Sequence, residues 1–340
     1  MTLVTAVVSS YNYSASLRLC LQALRDQTYP SLDVLVVDDC STDDSVAVAE
    51  SMGFTVISPE RNGGVAAARN LGVSRAAGEI VFFVDSDVAL HPEAVARAVA
   101  LLESDPRIGA ACGIYDPEPL IRDSLVEEYR SLQAHYWRLS SVGVVSFLFS
   151  SLCAMPRHVL AEVGPFNPRL NGGAEMTEEV DYGERLSARY DIHLSADVRG
   201  RHDDDSRLRP LLRKLFHRGR LRIPLYARRR RFAKGFETST RAYASLAALA
   251  GVGLLPLAAL LGPWGLLGPG LAVAASIGLD AGMYAFVARR RGPLFLLYFT
   301  AVHFLVNLAI SSGVGAGVAQ WLVSRRFRGL YEADPAAVGA

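Results

Sequence analysis

The chain has 340 residues, of which 51% are hydrophobic and 20% charged, and its formal net charge is +1. This length allows one large domain or two. The net charge by itself says nothing about binding partners, whereas the localised basic block described below, beside an apolar tail, favours an anionic membrane surface over nucleic acid. The first residues, MTLVTAVVSS, lack a basic segment followed by a long apolar one, so we expect no signal peptide and a cytoplasmic amino-terminal domain.

The first hundred residues alternate short apolar runs with helical patterns. Strands are predicted at Leu3–Ser9, Asp33–Val37, Phe54–Ile57 and Glu79–Val84. Helices are predicted at Ser14–Asp26, 43–52, Gly64–Ala76 and Pro92–Glu103. The continuous apolar runs are typical of strands buried on both faces. Repeated units of this kind predict an α/β fold with a mostly parallel central sheet.

The next hundred residues are more mixed. Two apolar runs, Val142–Met155 and Ile192–Val198, flank a predicted helix at Val180–Arg189. The four cysteines are scattered without a CxxC pair, which predicts buried thiols in a reducing compartment. These cysteines are Cys20, Cys40, Cys112 and Cys153.

Polar clusters follow three of the predicted strands. They are Ser9-Ser10-Tyr11-Asn12, Asp38-Asp39 and Asp85-Ser86-Asp87. Ligands of parallel α/β sheets bind beyond the carboxyl ends of the strands, where these clusters lie. The sequence therefore predicts a ligand site at this edge.

Asp85 and Asp87 are the clearest metal candidates, because two carboxylates one residue apart can hold a hard divalent cation against diphosphate oxygens. A solvated turn is the alternative for so short a motif. Asp38 and Asp39 are candidates for base or ribose contact. Arg61 and Arg69 are candidates for base or phosphate contact, and Arg69 is expected on the opening turn of a helix.

Two other nucleotide sites are disfavoured. The sequence contains neither GxGxxG nor GxxxxGK[ST], so dinucleotide-binding and P-loop folds lose their main support.

The stretch Arg207–Phe232 interleaves leucines with basic residues, and twelve Arg or Lys but no carboxylate lie between Arg207 and Lys234. This pattern predicts amphipathic helices in a membrane interface, with a soluble basic surface as the alternative. Three segments follow at about 243–262, 266–287 and 293–323, uncharged apart from Asp280, each with the ~20 residues that a membrane span needs.

The side of each span is set by flanking arginines. Arginine clusters at 228–231, 289–291 and 325–328 would all prefer the cytoplasm, which suits two spans between the first two clusters. One span between the last two does not satisfy this preference. Either the tail lies outside, or 293–323 forms a re-entrant or interfacial hairpin; we expect three spans.

The ordered motifs of residues 3–88 resemble the nucleotide-binding half of family 2 glycosyltransferases with the GT-A fold. They read VVSSYNYSASLRLCLQAL, LDVLVVDDCSTDDS and ERNGGVAAARNLGVSRAAGEIVFFVDSDV. Further on, VGPFNPRLNGGAEMTEEVDYGERL is similar to the acceptor segment of that family, and Ala196–His202 resembles its strand ending in a metal-proximal histidine.

The resemblance implies a role for each matching residue. Ser9, Tyr11 and Asp39 would hold the base, with Asp38 as a neighbouring candidate, and Arg69 would lie near the base or diphosphate. Asp85 would touch ribose or metal, and Asp87 would be the principal ligand of Mn²⁺ or Mg²⁺. His202 would complete the metal sphere or contact the diphosphate, unless it is an ordinary surface histidine.

The resemblance also places the catalytic base in the acceptor segment. Glu179 stands where the family usually has Asp, with Glu178 before it and Asp181 after it. All three are catalytic candidates; Asp181 has a helix terminus or the sugar as alternative partners, and a solvated acidic first turn is the alternative for the group. Glu179 would deprotonate an acceptor hydroxyl, with inversion at the sugar carbon.

The expected organisation is a GT-A domain at 1–205, basic interface helices at 206–241, transmembrane helices at 242–323 and a tail at 324–340. We expect a multi-pass protein of the cell membrane that moves one sugar from a nucleotide-sugar to a lipid acceptor: a polyprenyl phosphate, a lipid-linked sugar or a glycolipid. The QxxRW motif of polysaccharide synthases is absent, which favours the transfer of one sugar. A polymerising transferase is the alternative. A nucleotidyltransferase and an inactive nucleotide-sugar-binding scaffold are the others, and the oligomeric state is not predicted.

Overall fold

A computed structural model describes residues 1–170, 177–229 and 239–331. Parts of the predicted acceptor segment, of the basic stretch and of the carboxy-terminal tail lie outside these residues. The described chain divides into two compact units, with the boundary between Ser206 and Arg207.

The first unit is built on one mixed sheet of nine strands. The strands are β1 (Val4–Ser10), β2 (Leu32–Asp38), β3 (Thr55–Ile57), β4 (Ile80–Asp85), β5 (Val88–Leu90), β6 (Ile108–Tyr115), β7 (Gly143–Val145), β8 (Leu152–Pro156) and β9 (Asp191–His202). Their order is β3-β2-β1-β4-β8-β6-β9-β5, with β7 paired to β9. Strands β1 to β4 are parallel, β8 runs antiparallel to β4 and β6, and β9 is parallel to β6.

Seven helices accompany the sheet in the described part of this unit. They are α1 (Ser14–Arg25), α2 (Ser45–Ser51), α3 (Gly64–Arg75), α4 (Ala94–Ser104), α5 (Leu125–Leu139), α6 (Arg157–Val163) and α7 (Glu178–Ser187). Apolar residues at helical spacing, such as Leu17, Leu21 and Leu24 of α1, are buried against strand residues of the core. The predicted mostly parallel α/β fold is confirmed, and its antiparallel pairings are those of β8 with β4 and β6 and those of β5 and β7 with β9.

The register of the sheet brings three strand ends to one edge. Ser10 lies opposite Asp38 across β1 and β2, and Ser9 lies opposite Asp85 across β1 and β4. Because these strands are parallel, their polar carboxyl ends stand side by side at the edge where ligands of such sheets bind.

Helices make up the described part of the second unit. They are α8 (Leu208–Leu221), α9 (Ile223–Arg229), α10 (Ser239–Gly253), α11 (Leu257–Leu261), α12 (Leu267–Leu279), α13 (Ala281–Val323) and α14 (Arg325–Arg328), with a 3₁₀ turn at Gly262–Leu266. Within α13, Gly292 has φ 78°, so two helices meet there at a kink before Pro293. The positive φ favours glycine, and proline removes a helical hydrogen bond.

Among the described residues, two helical stretches are long and apolar enough to cross a membrane, Leu257–Leu279 and Ala281–Val323. The first predicted span, 243–262, is not one helix, because α10 ends at Gly253 and α11 begins at Leu257. The second is interrupted at Asp280, which separates α12 from α13.

Helix α8 packs closely on α13 through glycines. A Cβ on Gly317 would lie 2.5 Å from the carbonyl oxygen of Arg220, and one on Gly219 would lie 2.8 Å from that of Ile310. A Cβ on Gly313 would overlap the carbonyl oxygen of Phe216. The predicted interface helix therefore has one face against α13, since small residues let helix backbones approach.

Candidate active site at the carboxyl edge of the sheet

The predicted base-binding residues stand at the ends of β1 and β2. Ser9 is buried, and Tyr11 is 46% exposed in the loop after β1. Asp38 is buried, and its Oδ2 accepts a hydrogen bond of 2.9 Å from Ser41 N–H. Its Oδ1 is also buried and has no partner among the described residues. An unpaired buried oxygen is costly, so this atom is suited to accept a hydrogen bond from a ligand.

Asp39 is committed to the backbone. Its carboxylate accepts hydrogen bonds from Gly63 N–H at 2.9 Å and Gly64 N–H at 2.6 Å, at the start of α3. Gly64 has φ 78°, a conformation that glycine adopts without strain. Asp39 therefore fixes the loop that contains Arg61, whose side chain is exposed.

Arg69 lies on the second turn of α3, later than the predicted opening turn, because the helix begins at Gly64. Its side chain is 1% exposed and bridges two carboxylates. Nη2 lies 2.9 Å from Asp85 Oδ1, and Nη1 lies 3.0 Å from Glu178 Oε1. The guanidinium also stands over the ring of Phe166, at 5.6 Å. Arg69 thus joins the end of β4 to the start of α7.

The two carboxylates have raised pKa values. Burial raises the pKa of Glu178 to about 6, against the pull of Arg69, and Glu179 adds to the rise. Burial also raises the pKa of Asp85, which Arg69 opposes and the neighbouring charges of Asp87 and Glu179 reinforce. Perturbed carboxylates of this kind cluster at functional sites.

The three predicted catalytic carboxylates occupy the first turn of α7. Glu179 accepts a hydrogen bond of 2.6 Å from the Ser150 hydroxyl, which fixes one carboxylate oxygen. Glu178 is fully buried on Arg69, and Asp181 lies 3.1 Å from Arg185 Nε one turn later. Glu179 is thus the least buried of the three and does not belong to an ion pair among the described contacts.

Asp87 and His202 come together from β9 and the turn between β4 and β5. His202 Nε2 lies 3.5 Å from Asp87 Oδ2, and Nδ1 lies 3.4 Å from Asp204 Oδ2. Burial lowers the pKa of His202, but Tyr115, Asp87 and Asp204 outweigh it and hold the pKa well above its usual value.

These residues offer part of a metal site. Asp87 Oδ1 is buried without a partner among the described residues, and His202 Nε2 lies 3.5 Å from the other oxygen of that carboxylate. Asp85 faces Arg69 instead, and no cluster of three His, Cys, Asp or Glu side chains in the described chain has metal-binding geometry. The donors fit a divalent cation whose other ligands come from a substrate or water.

Several residues of the site carried no sequence signal that we used. Ser150 orients Glu179, and Tyr115 stacks on His202 with ring centres 4.3 Å apart. The guanidinium carbon of Arg138 also lies over the ring of Tyr115, 3.9 Å from its centre. These residues lie on β6, on α5 and in the loop before β8, outside any recognised motif. The order of the strands in the sheet brings them together.

Comparison with known proteins identifies similar sequences and a similar fold. Residues 5–142 match the family model described as Glycosyl transferase family 2. A Haemophilus influenzae protein described as an uncharacterized glycosyltransferase is 35% identical over 117 residues, which are 34% of this chain and 38% of that protein. The glycosyltransferase AglE of Haloferax volcanii is 26% identical over 237 residues, 66% of this chain and 74% of AglE. The chain thus spans well under half of the first relative and about three quarters of AglE.

A solved structure shares the fold. It is the mannosyltransferase PcManGT of Pyrobaculum calidifontis in complex with GDP-Man and Mn²⁺, with a TM-score of 0.57 and 21% identity. The similarity covers 92% of this chain and 87% of that one. The fold of the chain is therefore GT-A-like.

Proposed function

Because the chain belongs, through residues 5–142, to glycosyltransferase family 2, we propose that it transfers one sugar from a nucleotide-sugar to a lipid acceptor in a membrane. The observation that carries the proposal is the meeting of Asp85, Asp87 and Glu179 at one sheet edge, with Arg69 and His202 beside them.

The donor would bind along the ends of β1, β2 and β4. Ser9, Tyr11 and the unpaired Oδ1 of Asp38 would contact the base, in a loop shaped by Asp39. Arg61, which is exposed, would contact the phosphates or base from the loop before α3.

Asp87 and His202 would hold Mn²⁺ or Mg²⁺, with Asp85 nearby for ribose or metal. The mannosyltransferase that shares the fold is described with Mn²⁺ and GDP-Man, which supports both cofactor and donor class. When bound, such a cation neutralises a diphosphate leaving group. The raised pKa of His202 means that a cation must displace a proton there, so metal binding should strengthen as the pH rises.

Glu179 would act as the general base. The 2.6 Å hydrogen bond from Ser150 holds its carboxylate in one orientation, leaving the second oxygen to accept the proton of an acceptor hydroxyl. The hydroxyl would then attack the anomeric carbon opposite the leaving group, with inversion. Glu178 and Asp181 would keep α7 in place through Arg69 and Arg185, rather than move protons themselves.

The apolar second unit supports a membrane location and hence a lipid acceptor. Its stretches Leu257–Leu279 and Ala281–Val323 would anchor the protein, with α8 contributing basic residues to an anionic surface. The catalytic unit would face the cytoplasm, where nucleotide-sugars are found.

The test is a donor screen on detergent-purified protein. Nucleoside diphosphate release from UDP-, GDP- and dTDP-sugars is measured with Mn²⁺, with Mg²⁺ and with EDTA, with and without a bacterial lipid extract. The proposal expects one donor to be used, only with metal, and faster with lipid. No release from any donor, with nucleotide binding still measurable, would favour an inactive scaffold.

A further inference from the structure

Arg138, at the end of α5, is a cation with an unusual environment. Its guanidinium carbon lies 3.9 Å from the ring centre of Tyr115 and 4.9 Å from that of Phe149. Its Nε is buried, and in the described part of the chain that atom has no hydrogen-bond partner. Aromatic faces stabilise a cation only modestly, so Arg138 keeps most of its hydrogen-bonding capacity for another group.

A second arginine two turns earlier on the same helix shows the contrast. Arg130 Nε also makes no hydrogen bond among the described residues, but it lies 3.1 Å from Asp204 Oδ2 in an ion pair, and Nη1 donates to Gln133 Oε1 at 2.8 Å. Arg130 is therefore neutralised within the fold. Arg138 has no such ion pair among the described contacts. Burial and the nearby charge of Arg130 lower its pKa, while Tyr115, Glu179 and Asp204 oppose that change.

The position of Arg138 separates it from the metal candidates. His202 stacks on Tyr115 with ring centres 4.3 Å apart and planes within 3°. On one face of Tyr115, the guanidinium and the imidazole ring would both lie within 4.3 Å of the same ring centre and would overlap, because non-bonded atoms stay about 3.5 Å apart. Arg138 and His202 thus lie on opposite faces of Tyr115, with Asp87 beside His202.

Arg138 stands over the ring of Phe149, and the next residue, Ser150, donates a hydrogen bond of 2.6 Å to Glu179. Arg138 therefore lies on the side of the site that holds the proposed base, where the proposed function places the acceptor. An arginine that presents free N–H groups there matches a phosphate, whose oxygens it binds with charge-assisted hydrogen bonds.

We propose that Arg138 binds a phosphate group of the acceptor, on the face of Tyr115 opposite His202. This inference rests on the proposed function and narrows its acceptor to a phosphate-bearing lipid. Arg138 would position the acceptor, and Tyr115 would hold Arg138 and His202 apart so that acceptor phosphate and donor diphosphate occupy separate places.

Two acceptor types satisfy this geometry, and Glu179 distinguishes them. A lipid phosphate is itself an anionic nucleophile and needs no base. In a lipid-linked sugar the phosphate would only bind the acceptor to Arg138. A sugar hydroxyl would be the nucleophile, so Glu179 would be needed to remove its proton.

The experiment measures binding, so that it does not depend on turnover. Farnesyl phosphate, farnesol and GDP or UDP with Mn²⁺ are titrated into the full-length protein in detergent. The variants are Arg138→Gln, Arg138→Lys and, as a matched control, Arg97→Gln, which removes an exposed arginine of α4. Thermal unfolding of each variant checks that it is folded.

We expect Arg138→Gln to weaken farnesyl phosphate binding about tenfold or more, in line with the loss of a hydrogen bond between charged groups. Arg138→Lys should lose less, since it keeps the charge, and Arg97→Gln should bind as the wild type does. Farnesol should bind equally to all, and nucleotide affinity should not change. The proposal would be overturned if Arg138→Gln bound farnesyl phosphate as tightly as the wild type does. It would also be overturned if Arg138→Gln lost affinity for the nucleotide and not for farnesyl phosphate. Absence of sugar transfer by the wild type would instead count against the proposed function.

Discussion

Arg69→Met should destabilise the catalytic unit more than removal of an exposed arginine does. Arg69 is 1% exposed and makes two ion pairs, at 2.9 Å to Asp85 and 3.0 Å to Glu178. Methionine keeps much of the side-chain volume but none of the charge. The variant therefore leaves Glu178, which is fully buried, and the partly exposed Asp85 without a compensating cation.

The expected cost follows from the burial of the pair. Breaking a buried ion pair by removing one partner costs about 3–5 kcal/mol, because the other charge stays desolvated. For a unit of this size, each kcal/mol lowers the melting temperature by roughly 2–4 °C. The melting temperature at neutral pH should therefore fall by between about 6 and 20 °C.

Thermal unfolding of purified protein measures this shift. Arg97→Met, which removes an exposed arginine paired with Glu93, is the matched control and should melt as the wild type does. The double variant Arg69→Met with Glu178→Gln should recover part of the loss, because it also removes the charge left unpaired. A melting temperature of Arg69→Met within error of the control would refute the buried bridge.

Four other changes test separate parts of the structure. Glu179→Gln should lower kcat by about 10²–10⁴-fold with a hydroxyl acceptor, and far less with a lipid phosphate, as measured by initial rates with each acceptor. Asp87→Asn should abolish the stimulation of turnover by Mn²⁺; retained stimulation would show that the cation binds elsewhere. Gly313→Ala should lower the melting temperature, because its Cβ would overlap the backbone of Phe216, whereas the Cβ of Gly315→Ala would meet nothing within 4 Å and should not lower it. The pKa of Glu178 is raised from 4.5 to about 6, so as the pH falls this carboxylate takes up its proton in the folded state before it does so in the unfolded state. The free energy of unfolding should therefore fall by ~2 kcal/mol in total as the pH rises from below 4.5 to above 6, a dependence that Glu178→Gln removes in pH-dependent melting curves.

The first half of the sheet could be predicted from sequence because its signals are local. The run Leu3–Ser9 and the run before Asp85 are continuous and apolar, and they form β1 and β4 within a residue or two of the predicted ends. Strands such as β5 and β7, with three residues each, pair with β9 through contacts distant in sequence. Such short strands have no periodicity to recognise, so only the folded chain defines them.

The sequence predicted which residues lie in the candidate site better than it predicted which groups they bind. Asp85, Asp87 and His202 do lie in one region, as strand-end positions implied. The commitment of Asp39 to Gly63 and Gly64 depends on a loop conformation that residue types do not specify.

Arg69 and Arg138 show the same limit for charges. Nothing in the sequence around Arg69 indicates that it bridges β4 and α7 with almost no exposure, because Glu178 is 109 positions away. Likewise, the contact between Arg138 and Tyr115 requires α5 to pack beside β6. Long-range ion pairs and ring contacts follow from topology, which local patterns determine only in part.

The second unit shows how composition can mislead about helix ends. The segment 243–262 is uncharged and long enough for a span, but Gly253 and Pro256 interrupt it between α10 and α11. Hydropathy measures how apolar a segment is and does not register these breaks. The sequence likewise did not predict that Gly313 and Gly317 contact α8, because that contact depends on how the two helices pack.

The most direct test of the account is to follow an isotopically labelled sugar from the nucleotide-sugar into the lipid fraction by mass spectrometry. Full-length protein is incubated with the donor that the screen identifies, Mn²⁺ and bacterial lipid extract, with the Asp87→Asn variant as the control. If the protein transfers one sugar to a lipid, a phosphate-bearing lipid heavier by one sugar should appear, and it should be absent with EDTA and with the variant. Label found only in water-soluble free sugar, or in a polymer, would contradict transfer of one sugar to a lipid.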